Sequence, residues 1–170
     1  MSLVSNIKLT MDCEYRKALD MNDLVGDLLK HLVLDLANGT GADQADKLWH
    51  NEESIGDAAN YDIDLTGVLK DCFGDNFDAA KIKFLAIYNT STTKTLTIGN
   101  EGSNPWIGPF GAGTHTLSLK PATANNLSWL VLVADPNGYT VGAGTADMLR
   151  IKNEAGAAAV AGVVVIATSA

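Results

Sequence analysis

Lys81-Ile82-Lys83-Phe84-Leu85-Ala86-Ile87-Tyr88-Asn89 is the stretch that decides the fold. Ile82, Phe84, Ala86 and Tyr88 alternate with Lys83, Leu85, Ile87 and Asn89, so a period of two carries apolar side chains to both faces. A strand that is apolar on both faces has protein on both, which places this one centrally in its sheet. Lys81 and Lys83, two residues apart, read as one solvated face at its start.

The same period recurs outward in both directions. Towards the C-terminus, Thr95 to Ile98 follows a hairpin-sized loop, Asn89 to Lys94, and Thr114 to Leu119 alternates until Pro121. Leu127 to Ala134 is nearly continuous apolar, which makes Trp129 a core residue, and Asp135-Pro136-Asn137-Gly138 closes it with strong turn chemistry. Met148 to Lys152 and Val160 to Ala167 complete the series. Towards the N-terminus, Tyr61 to Leu65 alternates cleanly, Lys47 to Ile55 begins as a strand, and Ile7 to Arg16 alternates without a break.

Two segments carry a helical signal. Thr66 offers an N-cap, Val68, Leu69 and Phe73 fall on one side, and Gly74 is a stop, which suggests one or two helical turns. Between Asn22 and His31, Leu24, Val25, Leu28, Leu29 and Leu32 recur at three and four residues, with Asp23 and Asp27 near an N-terminus. Leu32, Leu34 and Leu36 then alternate, so a short helix or extended arm runs into a strand at His31 to Ala37.

Eight or nine short strands with turns every ten or so residues predict an all-β chain. The expected architecture is a single jelly-roll-like β-sandwich with at most one or two short helices. Residues 38–170 form the sandwich, and residues 1–37 form an N-terminal strand or arm packed on it or extending from it. The crossover helices of a doubly wound fold are not there to be found.

The chain of 170 residues carries 12 Lys and Arg against 20 Asp and Glu, a net charge of −8. Its basic residues are scattered, so neither nucleic acid nor an anionic membrane is an expected partner. No apolar run has the length or flanks of a secretory signal or a bilayer span, and Ala155 to Ala170 reads as a buried strand. Cys13 and Cys72, without CxxC spacing, read as two small buried thiols made in a reducing cytoplasm.

Nothing in the sequence assembles a catalytic constellation, and neither a cofactor nor enzymatic activity is expected. His31, His50 and His115 have no serine or cysteine in a nucleophile-elbow context. Asp43, Asp46, His50, Glu52 and Glu53 form the densest set of possible metal ligands, and Asp57, Asp62 and Asp64 a second; both read as solvated acidic faces. Gly99 to Gly102 and Gly111 to Gly113 lack the following helix that a phosphate cradle needs.

The loop Asn104-Pro105-Trp106-Ile107-Gly108-Pro109-Phe110 is apolar and stiffened by two prolines. Loops are normally polar, because their backbone must meet water. Such a loop either folds back on the sandwich or anchors a partner. Candidate contact residues are therefore Trp106, Ile107 and Phe110, then Trp49 and His50, then the Leu32, Leu34 and Leu36 strand as an edge for pairing. The small residues of Ala155 to Gly162 and the short uncharged lead Met1 to Asn6 also suit assembly.

Several strings, in order, resemble a family. They are Asn38-Gly-Thr-Gly-Ala-Asp-Gln-Ala-Asp46 with Leu48-Trp-His50, then Asp64-Leu-Thr-Gly-Val-Leu-Lys-Asp-Cys-Phe-Gly74 and Lys81-Ile-Lys83. Trp106-Ile-Gly-Pro-Phe-Gly111, Asp135-Pro-Asn-Gly-Tyr-Thr-Val141 and Gly144-Thr-Ala-Asp-Met-Leu-Arg-Ile151 follow. Over about residues 38–167 the chain resembles small virion structural proteins of tailed bacteriophages and prophages. The resemblance implies a head decoration, or cement, protein on the capsid exterior. Its implied partners are the major capsid protein and further copies of itself, as homodimer or homotrimer. A tail or baseplate component with a receptor- or glycan-binding role is the alternative, with Trp106 beside Asn104 or Tyr139 beside Asn137 as sugar platforms. The leucine-rich Asn22 to His31 departs from the family pattern.

Overall fold

A computed structural model describes residues 2–18 and 24–169, and within them the chain is all-β. A hairpin comes first, β1 (Ser5–Lys17) and β2 (Leu24–Asn38), followed by β3 (Gln44–Ala45), β4 (Lys47–Ile55) and β5 (Asn60–Asp64). Then come β6 (Thr66–Lys70), β7 (Asn76–Asp78), β8 (Lys81–Asn89), β9 (Leu96–Gly99) and β10 (Thr116–Leu119). The series ends with β11 (Ser128–Val133), β12 (Tyr139–Thr140), β13 (Met148–Asn153) and β14 (Ala159–Thr168).

Two antiparallel sheets make the body. One runs β11-β8-β14-β4, with β12 pairing the start of β8; the other runs β10-β9-β13-β5. Their facing rows form one core, with Leu85, Ile87, Val163 and Val165 from the first sheet and Ile63, Ile98, Leu149 and Ile151 from the second. Trp49, Phe77 and Trp106 complete it, giving a β-sandwich-like arrangement. Period-two strands can bury only alternate residues against such a core, so β8 has a second row to place. Phe84 and Ala86 point the other way, where they meet the base of the hairpin. The central position expected for β8 is what the sheet order shows.

Polar closure of the sheets comes from the buried Asn153 and from an ion pair nearer the surface. The Asn153 amide donates to the carbonyls of Ile55, Gly56 and Ala157 at 3.1, 2.9 and 2.7 Å. Directly opposed on β13 and β5, Arg150 and Asp62 form a two-pronged ion pair of 2.6 and 2.7 Å. Charge-assisted hydrogen bonds of this kind are shorter and stronger than neutral ones.

The structure corrects several expectations. Asn22 and Asp23 lie outside the described residues, but from Leu24 onward the segment is strand β2, the extended one of its two alternatives and not the helix. Gly26 and the β-branched Val25 and Val33 are poor helix formers, and a thirteen-rung ladder with β1 outweighs the spacing of the leucines. Thr66 to Gly74 is also not helical: β6 pairs β7, and Gly67 adopts a φ of +136°. Thr66 is itself capped by the Asp64 carboxylate, and Asp71 Oδ1 accepts from the amides of Phe73 and Asp75, each at 2.9 Å, to close a turn.

Residues 90–95 do not close a hairpin. They carry the chain from β8 to β9 in the opposite sheet, fixed by Asn89, whose amide donates to Lys94 and Lys120 carbonyls while its oxygen accepts from Ser91 N–H. Lys83 is buried rather than solvated, because the ladder slips at this point: Ile166 pairs Phe84 and Ala167 pairs Ile82. Its ammonium donates to the carbonyls of Gly41 and Pro136, joining two loops, and desolvation holds its pKa below the usual lysine value, with Lys81 adding to the effect. Both cysteines are exposed, not buried. Trp129 is 52% exposed, because β11 is an edge strand with one face open.

Candidate interaction surface

Strands β1 and β2 pair from Ser5 opposite Leu36 to Lys17 opposite Leu24. At roughly 3.3 Å per residue the hairpin is about 40 Å long. Directly opposed residues share a face, so the register sorts the side chains. One face presents Ile7, Leu9, Met11, Cys13 and Tyr15 with Leu34, Leu32, Lys30, Leu28 and Gly26 opposite them. The other presents Lys8, Thr10, Asp12, Glu14 and Arg16 with Val33, His31, Leu29, Asp27 and Val25 opposite.

Only the base of the apolar face is covered. Leu36, with Leu3, Ile7 and Leu34 beside it, packs on Phe84, Ala86 and Ile166 of the outer sheet face. Beyond this seam Leu9, Met11, Leu28 and Leu32 are each close to half exposed, and Tyr15 is 75% exposed. β2 gains a short parallel neighbour in β3 only at Ala37 and Asn38. Along the rest of the described hairpin both outer edges carry no strand. The other face is mixed, with Val25, Leu29 and Val33 exposed among its charged residues, so past the seam the two-stranded arm is open on both faces.

The outer sheet face continues the stripe. Leu9, Leu32 and Leu34 line an apolar groove of about 400 Å³ with Phe84, Trp129 and Val131. Trp129 stacks on Tyr88 with ring centroids 4.6 Å apart and planes tilted by 41°. Tyr88 lies flat across Gly162, where a Cβ would come within 1.9 Å of its ring, so only glycine admits this placement. The Tyr88 hydroxyl donates to Glu52 at 3.1 Å, and burial together with that carboxylate raises its pKa above the ordinary tyrosine value.

The residues expected at a contact surface separate into three places. Leu32, Leu34 and Leu36 form a graded series, from exposed arm through half-buried seam to buried base. The Pro105 to Phe110 loop folds back on the body, the first of its two expected outcomes. Trp106 is 2% exposed, donates its indole N–H to Thr140 O at 3.0 Å, and meets Phe110 and Tyr139 edge-on, each at 6.3 Å. Its ring is therefore closed to a partner, and in this loop only Ile107 is largely open. Trp49 is buried beside Phe77, whereas His50 next to it points to solvent on β4. Sequence reasoning missed Leu9, Met11, Tyr15, Leu28 and Trp129. Ile7 to Tyr15 alternates plainly, but the leucines opposite fit a short helix as well as an extended arm, so their face is not defined by the sequence.

The acidic sets do not converge. Asp46 holds the Ser169 amide at 2.6 Å, Asp57 the Gly156 amide at 2.6 Å, Asp64 the Thr66 amide, and Asp62 faces Arg150. Among the described residues no three His, Cys, Asp or Glu side chains gather to hold a metal ion. No protein-family model matches the chain, and no curated protein or solved structure does either.

Proposed function

We propose that the protein is a structural component of a bacteriophage virion, a decoration protein that sits on the exterior of the head. In this reading it binds the shell of the major capsid protein and stabilises it. One observation carries it furthest: a closed β body bears a long arm whose exposed side chains form an apolar stripe, the kind of surface that marks a protein contact. The ordered phage-like strings of residues 38–167 supply the assembly in which the contact would be made. A jelly-roll path through the two sheets is part of the proposal. Clamping neighbouring capsomers buries area across their seams, and an acidic outer surface keeps the decorated particle soluble.

A tail or baseplate component is the second reading. Its sugar platform would be the exposed Trp129 beside Tyr88, since Trp106 is enclosed. Counting copies of the chain in purified particles by quantitative mass spectrometry separates the two. Hundreds of copies per particle are expected for a decoration protein. A handful places it in the tail, and complete absence from particles that package DNA removes both.

A further inference from the structure

We infer that the apolar face of the arm is covered by the same face of a second copy of this chain, the two hairpins stacking about a two-fold axis. This pairing does not depend on which assembly the protein serves.

Three observations point to a second copy. First, the stripe is self-complementary. Leu9, Met11 and Tyr15 on β1 and Leu28 and Leu32 on β2 form an apolar patch interrupted only by Lys30, whose stem can lie along the patch while its ammonium reaches the edge. With the half-exposed Trp129 and Val131 beside them, seven large apolar side chains stand open along this face, a patch to set against the roughly 800 Å² per partner of a standard interface.

Second, the charges permit it. The described strands of the arm carry Lys8, Arg16, Lys17 and Lys30 against Asp12, Glu14, Asp27 and Asp35, and so are neutral, in a chain of net charge −8. The body, residues 39–170, holds the other eight basic residues and fourteen of the acidic ones, a net −6. Asp20 and Asp23, between the two strands, bring residues 1–38 to −2, so like-charge repulsion between two copies is weakest along the neutral strands.

Third, the arm is an incomplete sheet. A two-stranded ribbon is marginal in water, and it gains a second layer when another hairpin stacks about 10 Å away. The stripe also runs without a break into the groove against Trp129 and Val131, so stacked arms continue the seam already made by Ile7 and Leu34.

The test is the molar mass of the full chain by light scattering at micromolar and tens of micromolar concentrations. Wild type is expected to be a dimer, undiminished by added salt because apolar contact drives it. L9E and L28E place a carboxylate inside the stripe and should raise the dimer dissociation constant at least a hundredfold. V33E, opposite Lys8 on the other face, should leave it within threefold. Circular dichroism and melting temperature establish that each variant remains folded. If L9E does not fold, L28E alone carries the comparison, and Leu9→Ser replaces it. A wild type that is monomeric throughout, or an oligomer unchanged in folded L28E, overturns the inference. A trimer dissolved by L28E overturns the two-fold pairing.

Discussion

Strands β14 and β1 are both long and both alternate, yet they do opposite work. β14 has a partner on each edge, β4 and β8, and buries Ala161, Val163 and Val165 in the main core. Its other face is covered too, by Tyr88 over Gly162 and by the hairpin base at Ile166. β1 has one partner, and beyond Ile7 both its faces meet solvent. The difference lies in neighbours rather than in pattern. A period of two creates an apolar row, and what stands opposite decides whether that row becomes core or contact surface.

The comparison breaks most sharply at Ile151. This side chain has no exposed surface and sits in register between Tyr61 and Ile98. Ile151→Ala is expected to cost about 2 to 5 kcal/mol, from lost transfer energy and the cavity left behind. Leu28→Ser in the arm, measured by denaturant unfolding at dilutions where chains are monomeric, should cost about 0.5 kcal/mol or less. Equal losses would mean that the arm belongs to the cooperative core, and the distinction between the two regions would fall.

A smaller effect is expected at the seam. Leu36 is buried against Phe84 and Ile166, but its cluster is small and much of its rim is half exposed. Leu36→Ala should cost about 2 kcal/mol, the low end for a buried leucine, because its surroundings can collapse. Its main readout is amide hydrogen exchange. Protection should fall along β1 and β2 while β8, β13 and β14 keep theirs. Loss of protection in β13 would show that the hairpin base holds up the body.

The body was legible from the sequence because its strands satisfy a local rule. Lys81 to Asn89 and Met148 to Lys152 alternate, are bounded by turn residues, and form the strands those patterns imply, apart from Lys83, which the ladder slip buries. The arm was half legible. Ile7 to Arg16 reads as a strand by itself, but Leu24 to Leu32 fits both a helical period and, once β1 is its partner, an extended one. No window inside that segment contains the register that decides between them. Exposure was the least legible property. For Trp106 and Trp129 the answer depends on neighbours distant in sequence: Trp106 packs against Tyr139 and bonds Thr140, while β11 has no strand beyond it.

The smallest effect tests the same contrast through titration. Tyr61 on β5 is half buried, its hydroxyl accepts from the Asn51 amide at 2.9 Å, and burial, with Glu53 adding to it, raises its pKa above the ordinary value near 10. Tyr88 is shifted the same way by burial and by Glu52. A tyrosine harder to ionise folded than unfolded contributes stability that is fully present below the unfolded pKa. That contribution is lost as pH rises through the higher folded value. Wild type should therefore unfold more easily as pH climbs past about 10, where the unfolded chain releases protons that the body retains. Tyr61→Phe and Tyr88→Phe should each flatten the slope of unfolding free energy against pH between 9 and 11. A slope as steep as that of wild type in both variants would show that alkaline unfolding is governed by groups other than these two body tyrosines.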